Sequence, residues 1–268
     1  ERPKKRHRSS KRKDIKIQDL EIHAIAEQLT AFESRLFCTI KAQEFLGLGW
    51  QKEDKMTRSP HIVKMYGRFN EVSFWVASHI CSCEDIKDRS TVLSSFISLA
   101  VELRAMNNYN ALMEVLGGLN NVAVQRMKKT WAVVLEKQEQ TWNELNDLMD
   151  SVNNYRSYRE ALSQSTLPAV PFLGVYLRDL TFIEENPDFI KKKINFDKMR
   201  MIGGILTEVR QFQQKRFVES QKSVDSKSFI QQVTAVPEES DDILYANSLR
   251  VEPKDEAPVP PPLPTPRS

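Results

Sequence analysis

The residues best placed to do chemistry lie in one stretch, Leu167 to Pro187, which carries Arg178, Thr181, Glu184 and Glu185. Pro168, Pro171 and Gly174 open it and Asn186-Pro187 closes it, which leaves room for a short helix between. At 100° per residue, Leu173, Tyr176, Leu177, Leu180 and Ile183 share an apolar stripe. Gly174, Arg178, Thr181 and Glu185 share the opposite face, with Phe182 beside them. A helix anchored on one side can offer a cation, a hydroxyl and a carboxylate to a partner on the other. The same pattern also describes an ordinary solvated helix face. Glu184 and Glu185 resemble a catalytic carboxylate pair. Adjacent helical residues point about 100° apart, however, so the two cannot share a proton. Glycosidase-type acid–base work is therefore not expected.

Other chemistry is absent. The four histidines, His7, His23, His61 and His79, are far apart and have no nucleophile or carboxylate motif beside them. No glycine pattern forms a phosphate-cradling loop. Cys81-Ser82-Cys83 near His79 is a weak metal signal, because no second ligand cluster follows at finger-like spacing. No metal and no cofactor are expected. Three cysteines make no disulfide framework, and free thiols in a reducing cytosol are the better reading.

The chain has 268 residues, 40% of them hydrophobic, including 13 Phe and 4 Trp, enough for a sizeable core. The mean hydropathy of −0.48 indicates a soluble protein. No apolar run approaches the roughly 18 residues of a membrane span. No secretory signal is present, and a start at Glu1 instead of Met is expected of a fragment. The net charge of +3 conceals two regions. The first 13 residues hold eight of the 39 basic side chains and one of the 36 acidic ones, so the remainder is at −4. That mildly acidic body has no nucleic-acid footprint. The basic head at 1–13 reads either as a localisation or anionic-membrane signal or as a solvated linker. The expected location is cytoplasmic, with recruitment to the inner face of the plasma membrane through that head as one use.

No proline falls between Pro60 and Pro168, and apolar residues recur there at helical spacing. The expectation is an all-α domain over residues 14–232 with little sheet. Asp19 is a candidate cap for a first helix reaching Thr30, followed by a short helix and turn at 42–50 and a polar loop at 52–59. Ser59-Pro60 starts a helix expected to break near 67–70. Further helices are expected at 87–108, at 110–119 up to the Gly117-Gly118 pair, at 122–131, 141–152 and 155–162, and at 194–217. An acidic linker and closing segment, 233–252, docks through Ile243, Leu244, Tyr245 and Leu249. Residues 253–268 are a polyproline II tail.

Several ordered segments resemble the catalytic domain of Ras-family guanine-nucleotide exchange factors (RasGEF). They are Ile25-Ala26-Glu27-Gln28-Leu29-Thr30, Phe45-Leu46 to Trp50, Ser59-Pro60 to Phe69-Asn70, and Met106 to Glu114. Arg126 to Trp131, Tyr158 to Leu162, Pro171 to Pro187, Ile194 to Ile202 and the closing Leu244-Tyr245 to Pro253 complete the series. The flavour is nearest the Ras-GRF group and the Rap exchangers. The resemblance implies a helical bowl with a protruding helical hairpin that inserts beside the switch regions of a Ras-subfamily GTPase, Ras or Rap, and accelerates GDP release. Such exchange makes and breaks no covalent bond.

Residue by residue, the resemblance implies that Arg178, Thr181 and Glu185 on the hairpin's first helix act directly. Thr181 falls where the family intrudes on the Mg²⁺ site, and Glu185 at the family's functional glutamate. Phe172 and Tyr155 match positions that cradle switch II, with core packing as the alternative. Asn107 matches a polar contact nearby, or braces a helix end. Asp179 and Phe182 complete the implied GTPase-binding set. The family usually has Gly-Asn-Pro after its two glutamates, whereas here Glu185 runs directly into Asn186-Pro187. The competing reading is an adaptor that keeps the fold without exchange and works through its tail. In that tail Pro261, Pro264 and Arg267 form a candidate Src-homology-3 ligand, with the arginine one position later than usual.

Overall fold

A computed structural model describes residue 17 and residues 21–218 and 241–254. Asp19, the basic head and the proline-rich tail with Pro261, Pro264 and Arg267 lie outside the described residues. The architecture is all-α. Its helices are α1 (Ile22–Phe37), α2 (Lys55–Arg58), α3 (Pro60–Ser82), α4 (Ile86–Ala105), α5 (Tyr109–Leu119), α6 (Val122–Gln125) and α7 (Lys128–Met149). They continue with α8 (Arg156–Gln164), α9 (Leu173–Glu184), α10 (Phe196–Phe212) and α11 (Asp241–Val251). Among the described residues the only sheet is an antiparallel ribbon of β1 (Phe189–Ile190) and β2 (Lys193–Ile194) at the tip of the α9–α10 hairpin.

The main apolar core joins α1, α3, α4, α5 and α7 around Trp75, Phe96, Leu103, Leu112 and Trp131. A second cluster gathers Phe37, Phe45, Ile62 and Met65 with Leu173, Tyr176, Leu180, Ile202 and Val209. That cluster roots the hairpin in the body, because it buries the inner faces of α9 and α10 against the end of α1 and the start of α3. Beyond it the hairpin protrudes. Phe196 and Met199, which share helical spacing with Ile202 and Val209, are therefore exposed, while Ile202 and Val209 further along are buried.

Four sequence expectations need correcting. The loop at 52–59 contains α2. Helix α3 runs unbroken through Gly67, because its packing against α5 outweighs the modest helix penalty of a single glycine. Residues 128–149 form one helix, not the ends of two. Polar Glu136 to Gln140 are mostly exposed positions of that helix and contain no breaker. Finally, α5 continues through Gly117-Gly118. A Cβ on Gly118 would lie 2.5 Å from the Ser73 carbonyl oxygen and 2.6 Å from Val76 Cβ, so this glycine permits close approach to α3. Gly118→Ala should therefore cost about 1–3 kcal/mol in overpacking. Gly67→Ala meets nothing within 4 Å and should instead gain a few tenths to about 1 kcal/mol. Urea midpoints of the two variants check the contrast.

Two helices are capped from a distance by buried carboxylates. Ser59 occupies the N-cap position of α3, but its hydroxyl donates to the Glu44 carbonyl at 2.7 Å. The Glu44 carboxylate instead accepts the amides of His61 at 2.7 Å and Ile62 at 3.3 Å. Burial opposes ionisation of Glu44. The hydrogen bonds from the His61 ring and from these amides outweigh it and hold the carboxyl below its ordinary range. At α7 the capping group is Glu252, just beyond α11. It accepts the amides of Lys129 at 2.9 Å and Thr130 at 3.2 Å, and the Thr130 hydroxyl at 2.7 Å. An anion at a helix N-terminus satisfies orphan amides and complements the dipole. The closing segment, expected to dock through Ile243, Leu244, Tyr245 and Leu249, is an 11-residue helix with Leu244 and Ser248 buried and Tyr245 and Leu249 half-buried; Ile243 instead points outward and is exposed, because it lies about 100° round the helix from Leu244.

Candidate functional site

The start of α9 is fixed by partners on α5 and α8. The Phe172 amide donates to the Tyr158 hydroxyl at 2.8 Å, and the Leu173 amide to Asn110 Oδ1 at 3.3 Å. Asn110 belongs to a buried polar cluster. Its Nδ2 donates to Glu33 Oε2 and to Glu114 Oε1, each at 2.8 Å. Arg68 Nε lies 3.7 Å from Glu33 Oε1, and its Nη1 bonds the more exposed Glu71 at 3.4 Å.

Burial pushes both buried carboxyls up. Glu33 reaches about 7 against the opposing Arg68 charge and the Asn110 bond, and Glu114 is raised by burial and then by the Glu33 charge. Such an acid keeps a proton in the fold that the unfolded chain releases. Its contribution to stability therefore falls as pH rises from about 4.5 to about 7, then levels. Glu114→Gln imitates the protonated form. It should gain thermal stability relative to wild type as pH rises above the ordinary carboxylate range, and a constant difference would count against a held proton.

The outer face of α9 borders an open cleft of about 490 Å³ between the hairpin, α3 and the turn at Gly49–Gln51. Trp50, Tyr66, Phe69, Phe172, Leu177 and Thr181 line it. Phe69 and Phe172 stack with ring centroids 5.9 Å apart, and Tyr155 meets Phe172 edge-on at 5.9 Å. Tyr66 is 61% exposed, an unusual state for a large aromatic residue on a helix that is otherwise packed.

The predicted residues divide between this cleft and its surroundings. Arg178 and Thr181 line the cleft. The Arg178 guanidinium lies over the rings of Tyr155 at 5.8 Å and Phe182 at 5.7 Å. Thr181 Oγ1 donates to the Leu177 carbonyl at 2.8 Å and accepts from Gln51 Nε2 at 3.2 Å. Phe182 is exposed. Glu185 ends the helix, its amide donating to the Ile183 carbonyl; the residue is exposed, and its carboxylate has no hydrogen bond or ion pair among the described residues. Glu184 is drawn aside to Lys198 Nζ at 2.6 Å. The two adjacent glutamates thus part, as their angular separation requires.

Asp179 accepts both its hydrogen bonds from Arg159 on α8, at 2.8 Å each, and does not line the cleft. Asn107 also lies off the cleft, in a left-handed conformation (φ 55°), with its Nδ2 on the Thr166 carbonyl at 3.2 Å. Its carbonyl accepts the Val170 amide at 2.9 Å, so it braces the approach to α9.

Sequence reasoning did not assign Tyr66, Phe69 and Gln51 to the site. Tyr66 and Phe69, three residues apart on a helix whose start Pro60 marks, were the available signal. Within the described residues no His, Cys, Asp and Glu cluster is able to hold a metal ion. No helix there is long and apolar enough to cross a membrane.

An all-helical body, a rooted hairpin and an aromatic cleft beneath a polar helix face define the class. The chain belongs to the RasGEF domain family, whose profile matches residues 24–200. It is similar to the human Ras-specific guanine nucleotide-releasing factor 1, 38% identical over 245 residues, covering 90% of this chain and 19% of that protein. It is also similar to the mouse Ras-specific guanine nucleotide-releasing factor 2, 39% identical over 232 residues, 86% of this chain and 19% of the relative. The Dictyostelium discoideum Ras guanine nucleotide exchange factor P is 43% identical over 204 residues, 75% of this chain and 14% of that protein. The chain thus spans at most about a fifth of the length of these curated relatives.

Proposed function

We propose that this chain is a guanine-nucleotide exchange domain that accelerates GDP release from a Ras-subfamily GTPase, Ras or Rap. The observation that carries the reading is the juxtaposition of an open aromatic cleft with the polar face of α9, which ends in an exposed Glu185, at the root of the hairpin. Family membership and the names of the relatives support it.

In this reading an apolar side chain of the GTPase enters the cleft against Tyr66, Phe69 and Phe172 and supplies much of the binding. The outer face of α9 then wedges against a switch segment. Magnesium in a GTPase demands near-ideal octahedral oxygens, so a small displacement of that segment weakens its hold on the phosphates. The Glu185 carboxylate offers an alternative partner to cations that had bound phosphate. Exchange follows from stabilising the nucleotide-free GTPase more than the nucleotide-bound one, and it needs no bond-making group.

The same linkage supplies a test. The chain should co-elute with nucleotide-free Ras or Rap in gel filtration, and excess GDP should dissolve the complex. Failure to associate with any nucleotide-free member, or a complex indifferent to GDP, would refute the proposal.

A further inference from the structure

We propose that Lys198 is a positioning residue for Glu185: it holds the end of α9 so that Glu184 is neutralised and Glu185 alone is presented to the GTPase. The inference rests on the exchange reading above and names a residue in that site which sequence motifs did not assign.

Helix α9 ends in an unfavourable charge arrangement. Glu184, Glu185 and Asp188 place three carboxylates within five residues at the end where the helix dipole is already negative. The usual left-handed cap is also missing. Glu185 has φ −63° and ψ −22°, and the positive-φ residues nearby are only Lys191 and Lys192 in the ribbon turn.

Lys198, in the first turn of α10, compensates for both. Its side chain is only 3% exposed. Its Nζ lies 2.6 Å from Glu184 Oε2 and 2.6 Å from Asp188 Oδ1, and donates to the Asn186 carbonyl at 2.9 Å. An ammonium has three protons, and these three acceptors match them. The acceptors bracket Glu185 in sequence: one precedes it and two follow. Asn195 completes the clasp, donating through Nδ2 to the Pro187 carbonyl at 3.0 Å and through its backbone amide to the Asp188 carbonyl at 2.8 Å. The hydrogen bonds to Asp188 and Glu184 raise the pKa of Lys198, so the clasp stays charged at neutral pH.

Without the ammonium, three carboxylates repel one another at a helix end with no other counter-charge in contact among the described residues. The direction of Glu185 is then lost, whereas the cleft of Tyr66, Phe69 and Phe172 is untouched. The defect should appear in the maximal rate of nucleotide release and not in GTPase affinity.

The test measures fluorescent-GDP release from the responsive GTPase across a range of exchange-domain concentrations. Lys198→Met should lower the maximal rate about tenfold, a loss of about 1.4 kcal/mol in barrier reduction, and change the half-saturating concentration by less than about threefold. Lys198→Arg should keep most of the wild-type rate, since it retains the charge and donors. Lys198→Met combined with Glu185→Gln should be no slower than Glu185→Gln alone, because Lys198 acts through Glu185. Glu184→Gln added to Lys198→Met should recover part of the rate by removing one repelling carboxylate. A Lys198→Met variant at the wild-type rate, or full additivity with Glu185→Gln, would overturn the inference. Circular dichroism of each variant separates loss of fold from loss of positioning. If the wild-type chain accelerates no GTPase, the exchange reading fails; if wild type is active and Lys198→Met equals it, only the present inference fails.

Discussion

Replacing Glu252 with alanine should lower the stability of the fold by about 3–5 kcal/mol, the usual cost of leaving one member of a buried charge pair alone. Its partner Arg89 is 2% exposed and cannot reach water. Arg89 Nη2 lies 3.4 Å from the Glu252 carboxylate. The other guanidinium nitrogens serve the Thr130 hydroxyl at 2.8 Å and the Cys83 and Glu84 carbonyls at 2.8 and 2.9 Å. Loss of the carboxylate therefore strands a buried cation and also uncaps the first turn of α7 at Lys129 and Thr130. The backbone of the same segment receives Arg126, whose Nη1 donates to the carbonyls of Ser248 at 2.8 Å and Glu252 at 2.7 Å. Those bonds survive the substitution, so α11 should loosen without full release. Glu252→Gln should cost less than Glu252→Ala, since its amide oxygen still accepts one helix amide. Equilibrium urea unfolding reads both values. A loss under about 0.5 kcal/mol for the alanine variant, the range of ordinary surface changes, would contradict this account of the closing segment.

The second large effect is functional. Glu185→Ala should reduce the maximal rate of GDP release about tenfold or more, because an interaction made only as nucleotide leaves lowers the barrier without aiding initial binding. The residue is exposed and its side chain forms no bond among the described residues, so removing the carboxylate should leave the thermal midpoint unchanged. Stability and rate should thus part between the two glutamates, with Glu252 expected to affect the first and Glu185 the second. Asp179 offers a third case. Its carboxylate is held by Arg159, so Asp179→Asn should loosen the α8–α9 contact more than it disturbs any direct contact with the GTPase.

The helix that carries the site was legible because both of its ends are written locally. Pro168 and Pro171 precede the apolar stripe and Asn186-Pro187 follows it, and Leu173, Tyr176 and Leu180 are indeed buried. The angular argument that Glu184 and Glu185 diverge also held. Glycine was misread where its role is tertiary. At Gly118 it makes room for α3, and at Gly67 packing elsewhere on the helix carries the position. Local propensity does not distinguish such glycines from helix breaks.

The partners that shape the site were not legible, because they are remote in sequence. Arg89 and Glu252 are 163 residues apart, and Asn110 reaches Glu33 across 77. The cleft likewise brings Tyr66 and Phe69 to Phe172, a contact between α3 and the chain entering α9 that hydrophobic periodicity cannot specify. The roles proposed for Thr181 and Glu185 come from the family resemblance and not from periodicity. Lys198 had no signal of its own, since a lone lysine near a helix start is ordinary surface until its three acceptors are in view.

The central claim is exchange, and its most direct measurement is the release of fluorescent GDP from Ras, Rap and Ral proteins in the presence of this chain. The account predicts acceleration of release from Ras or Rap that rises with exchange-domain concentration and is suppressed by Glu185→Ala. Release no faster than the intrinsic rate from every GTPase, with the chain folded, would contradict it.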